Sequence, residues 1–363
     1  MDANFKAALR DVCTSHQSAA LVTIISVKGS TPRKPGAKML VTMDGLCYGT
    51  IGGGCGEAEV RQQAIHALTT QTSTKHVVSM TNDLAAEEGM VCGGIMEVFI
   101  DVIEAGSNQS KTLLLAYLDA LDNADKPALV TITAGGDEAS LLLGKKLIIH
   151  TNGFCQGDLR NAALAEMSKN WATMISSEKT PTLIKTDNVE VLIEPAPTVV
   201  QLLILGGGHI ALPLATMAKL IGYHVTVVDD RPSFANSVRF QCADQIICNA
   251  FAPAIRGLTI TPETFVVIIT RGHRHDKLCL LEVIQQPAGY IGMIGSRRRV
   301  KALLTDLETE GIPQNLLNTI HSPIGLNIGA ESPEEVAVSI LAELIKVNRY
   351  HNKAAKAGDK LCV

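Results

Sequence analysis

The residues of this chain best suited to chemistry lie in one stretch, Gly49-Thr-Ile-Gly-Gly-Gly-Cys-Gly-Glu57, called here the glycine loop. Three consecutive glycines leave backbone N–H groups open to an anion or to another backbone segment. The thiol of Cys55 and the carboxylate of Glu57 precede a segment with helical periodicity, Ala58 to Leu68. Because helix N-termini attract anions and lower the pKa of cysteines, this order predicts an anion site beside a thiol. A plain turn with a buried cysteine is the alternative.

A second segment, residues 28–36, is called here the basic loop. Ser30 and Thr31 offer hydroxyls, Arg33 and Lys34 offer cationic donors, and two prolines stiffen the backbone. Since arginine can hold a phosphate through two parallel hydrogen bonds, the composition predicts an anion or phosphate clamp. A solvated basic loop is the alternative.

A third segment, residues 82–94, is called here the insertion. It places Cys92 beside two glycines, as Cys55 is placed in the glycine loop, and small neighbours allow a large ligand or a metal centre to approach. The residues alone therefore indicate that Cys55 and Cys92 face a large ligand or a metal centre. They establish no catalytic residue, and the candidates are Cys55, Cys92, Glu57 and, in the second half of the chain, His273. Two unrelated buried cysteines are the alternative. The other cysteines are interpreted as structural, with Cys47 and Cys155 as core positions.

The first 200 or so residues contain two related copies, about 20–101 (copy one) and 128–194 (copy two). Ala20–Ile25 resembles Ala128–Thr133, and the same offset of 108 residues aligns the segments after them, including the two glycine turns. This repetition predicts one domain, residues 1–198, made of two related α/β units.

The copies differ in all three loops. Copy two has Arg160-Asn-Ala-Ala-Leu-Ala165 in place of the glycines, Cys55 and Glu57, has no basic loop, and has almost no counterpart of the insertion. If these loops served only to turn the chain, copy two would need them as well. We therefore expect them to carry function.

The segment 199–350 predicts a Rossmann-like doubly wound parallel sheet, and we expect a flexible tail at 351–363. A buried strand ends at Leu205, Gly206-Gly-Gly-His-Ile-Ala211 fits G-x-G-x-x-A before a helix, and the next strand ends in Asp229. The pattern predicts a diphosphate at Gly206, Gly208 and His209 and a ribose near Asp229. Asp229 disfavours a 2′-phosphate, although Arg231 leaves that open.

Further strands are predicted at Gln245–Cys248, Phe265–Thr270 and Gly289–Ile294. Ligands of such sheets bind beyond the carboxyl ends of the strands. We therefore predict a ligand-binding crevice with four more side chains from these strand ends: Thr270, His273, Ser296 and Arg297.

Composition narrows the class of protein. The chain has 363 residues, a net charge of −4 and no basic run, which argues against nucleic-acid binding. It shows no apolar run of membrane-spanning length and no signal peptide. Nine cysteines without a C-x-x-C pair argue against a disulfide framework or a zinc finger. We therefore expect a cytoplasmic protein.

Taken together, the motifs resemble those of the XdhC/CoxI family, accessory proteins of molybdenum hydroxylases such as xanthine dehydrogenase. Six segments carry the resemblance, in order along the chain: Gly29-Ser-Thr-Pro-Arg33, Gly52-Gly-Gly-Cys-x-Glu57, Cys92-Gly-Gly94, Thr270-Arg-Gly-His-x-x-Asp276, Gly292-x-x-Gly-Ser-Arg-Arg298 and Ser322-Pro-Ile-Gly-Leu-x-Ile-Gly-Ala-Glu-Ser-Pro-Glu-Glu335.

The resemblance implies a chaperone rather than a catalyst. Such proteins bind the molybdenum cofactor (molybdopterin), protect it while a cysteine desulfurase installs a sulfido ligand, and insert it into the hydroxylase apoenzyme, here in purine catabolism. On this view Ser30, Thr31, Arg33, Gly52, Gly53 and Gly54 hold the phosphate end, and Cys55 or Cys92 faces molybdenum. We expect a homodimer. The Rossmann-like domain is expected to bind NAD(P) or another nucleotide. The alternative functions for the whole protein are an NAD(P)-dependent oxidoreductase or a subunit of the xanthine dehydrogenase complex.

Overall fold

The structure, a computed structural model, describes residues 3–80, 93–123, 125–135, 142–178, 180–186 and 188–354. The chain divides into two compact units, Met1–Pro197 (unit 1) and Thr198–Val363 (unit 2). In the described ranges no helix is both long enough and apolar enough to cross a bilayer.

In its described residues, unit 1 contains two antiparallel sheets of five strands, with helices between and outside them. Its elements are α1 (Ala3–Thr14), β1 (Ala19–Lys28), β2 (Lys38–Thr42), β3 (Cys47–Gly49), α2 (Gly54–Thr70), β4 (Thr74–Ser79), β5 (Ile95–Ile103), α3 (Asn108–Asp122), β6 (Ala128–Gly135), β7 (Lys146–Ile149), β8 (Cys155–Gly157), α4 (Ala162–Glu178), β9 (Thr182–Lys185) and β10 (Val189–Pro195).

The two sheets repeat each other in strand order and register. The first sheet has the order β3-β2-β1-β5-β4 and the second has β8-β7-β6-β10-β9. Ala20 pairs with Val41 in the first sheet, and Ala128 pairs with Ile149 in the second. Each residue of the second pair lies 108 positions after its counterpart in the first. From β5 to β10 the offset is only 93 residues, because the chain between β4 and β5, which includes the insertion, is longer in copy one.

Alternating side chains of β1 serve two different cores. Ala20, Val22 and Ile24 face α2, which packs on one side of the first sheet. Ala19 and Leu21 face α1 and α3 on the other side. The period of two is the one expected of a strand buried on both faces.

Helix α3 and two buried ion pairs join the sheets. Leu113 and Tyr117 of α3 pack against the second sheet, while other residues of the same helix pack against the first. Lys38 of β2 pairs with Glu194 of β10 at 2.8 Å, and Lys146 of β7 pairs with Asp101 of β5 at 2.5 Å. These two pairs are equivalent under the repeat, so each copy supplies one lysine and one acid.

Unit 2 is a parallel sheet of six strands in the order β13-β12-β11-β14-β15-β16, the order of a Rossmann fold. Its elements are β11 (Gln201–Leu205), α5 (Ala211–Leu220), β12 (His224–Asp229), β13 (Gln245–Cys248), α6 (Phe251–Arg256), β14 (Thr264–Ile268), α7 (His273–Val283), β15 (Tyr290–Met293), α8 (Arg297–Thr309), α9 (Gln314–Leu317), β16 (Ile320–His321) and α10 (Pro333–Ala354).

Both faces of this sheet are covered, which is why its central strands are apolar throughout. Helices α5 and α10 pack on one face, and α6, α7 and α8 pack on the other. Helix α10 begins with a capping box: the Ser332 hydroxyl accepts from the Glu335 N–H at 3.2 Å, and the Glu335 carboxylate accepts from the Ser332 N–H at 3.1 Å.

Three sequence-based expectations are wrong in detail. Helix α2 begins at Gly54 rather than Ala58, so Cys55 and Glu57 lie in its first turn. Cys47 is exposed, and Cys155 is half-buried and packs only at the margin of the core of the second sheet. Both stand at the start of a three-residue edge strand, which has a neighbouring strand on one side.

Candidate functional site

The described parts of the three loops lie beyond the same end of the strands of the first sheet, after β1, β3 and β4. A Cβ placed on Gly52 of the glycine loop would overlap the ring of Pro32, and one placed on Gly94 would overlap the carbonyl oxygen of Ser30. The basic loop therefore contacts both the glycine loop and the end of the insertion. Cys92 and the rest of the insertion before Gly93 lie outside the described residues.

Glu57 holds the glycine loop together. Its Oε2 atom accepts hydrogen bonds from the Thr50 hydroxyl at 2.5 Å, from the Ile51 N–H at 3.0 Å and from the Gly53 N–H at 3.1 Å. Burial alone would raise the pKa of Glu57, but the hydrogen bonds from Thr50 and the loop N–H groups hold the pKa below its ordinary value. This carboxylate is an ionised anchor that shapes the loop.

Cys55 lies on the exposed side of that anchored turn. It is the second residue of α2, between Gly54 and the buried Gly56, and its side chain is exposed. Gly53 precedes the helix with a φ of 74°, and a Cβ added there would meet no atom of the described residues within 4 Å. The first turn of α2 therefore presents an exposed thiol beside space that no described residue fills.

Copy two makes the same turn with different chemistry. Arg160 stands where copy one has Gly52 and keeps a positive φ of 53°. The N–H of Arg160 donates to Asp158 at 2.6 Å, and the side chain of Asn161 accepts from the Leu164 N–H at 2.9 Å and so caps α4. Because these side chains satisfy the turn in copy two, the fold itself does not require the bare glycines and the thiol of copy one.

The basic loop places its cations at the surface. Arg33 and Lys34 are exposed, as is Ser30. The Thr31 hydroxyl donates to the Arg33 carbonyl oxygen at 3.0 Å, which fixes the bend of the loop. Exposed cations on a fixed bend beside the glycine loop are arranged as a phosphate-binding surface requires.

In unit 2 the predicted ribose acid is fully engaged by its own chain. Asp229 ends β12 and is buried. Its carboxylate accepts from the Gly207 N–H at 2.8 Å and from Arg231 through the backbone N–H, Nε and Nη2 at 3.0, 2.8 and 2.9 Å. Burial alone would raise the pKa of Asp229, but these donors hold the pKa below its ordinary value.

The glycine turn of unit 2, Gly206–Gly208, also has its carbonyl oxygens occupied by an arginine of the same unit. Arg239 donates to the carbonyl oxygens of Gly207 and Gly208 at 3.2 and 3.1 Å. The guanidinium of Arg231 lies 3.6 Å from the ring centroid of Phe234. Gly206 and Gly207 are buried, Gly208 is half-buried and His209 is exposed.

Asp276, in the first turn of α7, links the chain after β14 to helix α8. It is buried and accepts from the Thr270 hydroxyl at 2.5 Å and from Nη2 of Arg299 at 2.7 Å. Ser296 caps α8 by accepting from the Arg299 N–H, and Arg297 is exposed. His273 begins α7, and its side chain lies outside the described part of the structure.

The predicted site residues do not include two arginines that form hydrogen bonds in unit 2, Arg239 and Arg299. The sequence places Gly295-Ser-Arg-Arg-Arg299 at the strand ends, but only Ser296 and Arg297 of that segment are predicted as site residues. Arg239 lies in irregular chain after β12, where no periodicity or motif marks it. Among the described residues no group of three or more histidine, cysteine or acidic side chains is arranged to hold a metal ion.

The fold and the site define the class first: a Rossmann unit together with a duplicated antiparallel unit in which one copy carries the special loops. Residues 12–79 match the XdhC and CoxI family, and residues 202–344 match the XdhC Rossmann domain. The chain belongs to the XdhC and CoxI family.

Relatives agree over nearly the whole length. A Bacillus subtilis relative, described as a probable xanthine dehydrogenase subunit, is 30% identical over 349 residues, covering 95% of this chain and 98% of that protein. The molybdenum cofactor insertion chaperone PaoD of Escherichia coli is 22% identical over 93% of this chain and 86% of its own. The crystal structure of a xanthine dehydrogenase from Bacillus halodurans superposes with a TM-score of 0.78 at 26% identity, covering 95% of this chain and 96% of that one.

Proposed function

We propose that this protein binds the molybdenum cofactor, supports its sulfuration by a cysteine desulfurase in the cytoplasm, and inserts it into a xanthine dehydrogenase-type hydroxylase. One observation carries the proposal. In copy one an exposed thiol, a turn made of glycines and the exposed cations of the basic loop lie close together beyond one end of the strands, whereas copy two makes the same turn with Asn161 as a cap and without the glycines and the thiol. The name of the Escherichia coli relative, a molybdenum cofactor insertion chaperone, supports insertion, and the name of the Bacillus subtilis relative connects the family to xanthine dehydrogenase.

The residues present fit this cargo. Molybdopterin ends in a phosphate or a dinucleotide diphosphate, which the exposed side chains of Ser30, Arg33 and Lys34 can bind. Its metal already carries sulfur ligands, and a thiolate is a soft ligand that suits such a metal. Cys55 is exposed beside the open space at Gly53, so the metal end is assigned to it, together with Cys92.

Glu57 takes a different role from the catalytic one considered from sequence. Since its carboxylate already accepts three hydrogen bonds from the loop, it positions Cys55 rather than transferring protons. His273 stays a candidate at the crevice of unit 2.

The test compares two exposed cysteines of unit 1. Cys55→Ser should reduce the molybdopterin retained after gel filtration, measured by fluorescence of the oxidised pterin, at least tenfold. Cys47→Ser is the matched control, because Cys47 is also exposed but lies at the start of β3 and not in the first turn of α2. Full retention in the Cys55→Ser/Cys92→Ser double variant, with folding intact, would refute the assignment.

The same preparation separates the rival functions. Substrate turnover with a nicotinamide and no affinity for molybdopterin would favour an oxidoreductase. Stable, stoichiometric co-purification with the mature hydroxylase would favour a structural subunit, whereas an inserting chaperone should release the loaded enzyme.

A further inference from the structure

An acid at the end of the second strand can bind a ribose only if its carboxylate has free acceptor positions. In Rossmann folds that acid accepts hydrogen bonds from the ribose hydroxyls. An ionised carboxylate offers about four lone-pair positions on its two oxygens. Ribose binding by unit 2 therefore depends on how many of these positions Asp229 keeps open.

Asp229 keeps none for a ligand. Oδ1 accepts from the backbone N–H and Nε of Arg231, and Oδ2 accepts from Nη2 of Arg231 and from the Gly207 N–H. Only 1% of the residue is exposed. Four donors from the chain itself thus match the four acceptor positions of the carboxylate.

The partner of Asp229 is held in place independently. The Arg231 guanidinium stacks on Phe234 at 3.6 Å, and the Phe234 carbonyl oxygen lies so close to Gly207 that a Cβ there would stand 2.7 Å from it. Arg239, which bonds the Gly207 and Gly208 carbonyl oxygens, lies 5.4 Å from the same ring. The bidentate ion pair is therefore one part of a packed cluster around the glycine turn.

We infer that the Asp229–Arg231 pair is a specificity lock that prevents unit 2 from binding NAD(H) through its ribose diol. The acid of the Rossmann pattern serves here as a clamp on the glycine turn. A 2′-phosphate is not favoured either, because Arg231 directs its Nε and Nη2 donors to Asp229 and the carboxylate repels the phosphate. The ribose that the sequence pattern predicts near Asp229 does not fit the residues present, and this inference concerns unit 2 whatever unit 1 carries.

One substitution tests whether this ion pair prevents ribose binding. Arg231→Ser removes the guanidinium and should free at least one oxygen of Asp229 for a ribose hydroxyl. The full-length protein is titrated with NADH and with NADPH, and binding is followed by nicotinamide fluorescence. Arg256→Ser is the matched control, because Arg256 forms an exposed ion pair with Glu282 at the end of α6.

We expect no NADH binding by the wild-type protein or by Arg256→Ser at NADH concentrations up to about 1 mM, a result that excludes a dissociation constant in the micromolar range. Arg231→Ser should gain at least tenfold in NADH affinity, with little gain for NADPH. Micromolar NADH binding by the wild type that is lost in Asp229→Asn would overturn the inference, as would a folded Arg231→Ser protein with no gain. If Arg231→Ser does not fold, the wild-type and Asp229→Asn titrations decide alone.

Discussion

Replacing Lys146 by methionine should destabilise unit 1 strongly. Lys146 reaches from the second sheet to Asp101 of the first, and it also donates to the Gly144 carbonyl oxygen at 2.8 Å. Only 4% of the lysine side chain and 7% of the aspartate side chain are exposed. Methionine keeps most of the volume but leaves the Asp101 carboxylate buried without its cation.

The size of the effect follows from that burial. Removing one partner of a buried ion pair costs about 3–5 kcal/mol, because the other charge stays in a medium that solvates it poorly. For a unit of this length each kcal/mol lowers the midpoint of thermal unfolding by roughly 2–4 °C. We therefore expect the midpoint of unit 1 to fall by roughly 10 °C.

The chain contains a convenient probe for this unit. Trp171, the single tryptophan, lies in α4 and packs against the core of the second sheet. Its fluorescence therefore reports the unfolding of unit 1 without interference from unit 2. Lys169→Met is the control, because Lys169 pairs with Glu166 on the exposed surface of the same helix, where solvent screens the pair and its loss should change stability little.

A double replacement separates an unpaired charge from lost packing. Lys146→Met with Asp101→Leu removes both charges, so its unfolding free energy should return to within about 1–2 kcal/mol of the wild type. A loss below about 1 kcal/mol in Lys146→Met, equal to that of the surface control, would refute the argument. A double variant as unstable as the single one would show that packing, not charge, dominates.

Contacts at loop and helix ends lead to three more expected results. Glu57→Gln should lower the unfolding free energy of unit 1 by about 1–2 kcal/mol at pH 7. Because the folded pKa of Glu57 lies below its ordinary 4.5, that stability is present above pH 4.5 and lost as pH falls through the folded pKa, so an equal difference at pH 3 would contradict the anchor role. Asp276→Asn should weaken the contact with Arg299 and speed amide exchange in the first turn of α8; unchanged exchange would count against it. Ser332→Ala should cost about 1 kcal/mol, seen as faster exchange at the start of α10 and contradicted by wild-type rates there.

Much of unit 2 could be predicted because its strands, glycines and acid follow one local pattern. The G-x-G-x-x-A match and the apolar run before Gly206 predicted the parallel sheet, and the structure shows it. What the pattern could not show is the partner of Asp229. Arg231 is close in sequence, but Phe234 and Arg239 reach the turn only through an irregular segment whose path depends on tertiary packing.

In unit 1 the repeat revealed which loops are special but not how they are organised. Glu57 looked like a catalytic acid because it follows a thiol at a glycine turn. The structure shows its carboxylate directed back to the loop, since α2 starts four residues earlier than the apolar periodicity indicates. Glycines hide the true start of a helix because they contribute nothing to an apolar pattern.

The reciprocal ion pairs explain how one copy can carry a bare loop. Lys38–Glu194 and Lys146–Asp101 are the same contact made twice, once in each direction, as in an interface between two identical protomers. This symmetric contact joins β2, β5, β7 and β10, whereas the described parts of the three loops lie beyond the strand ends of the first sheet. Because both copies contribute equally to this contact, the turns before α2 and α4 can differ: copy one uses the carboxylate of Glu57 and no N-cap side chain, and copy two uses Asn161 as its cap. Because a Cβ at Gly52 would overlap the ring of Pro32, transferring Arg160-Asn161 into positions 52 and 53 should displace the basic loop and remove cofactor retention. A folded variant that still retains molybdopterin would separate the glycine turn from the function proposed for it.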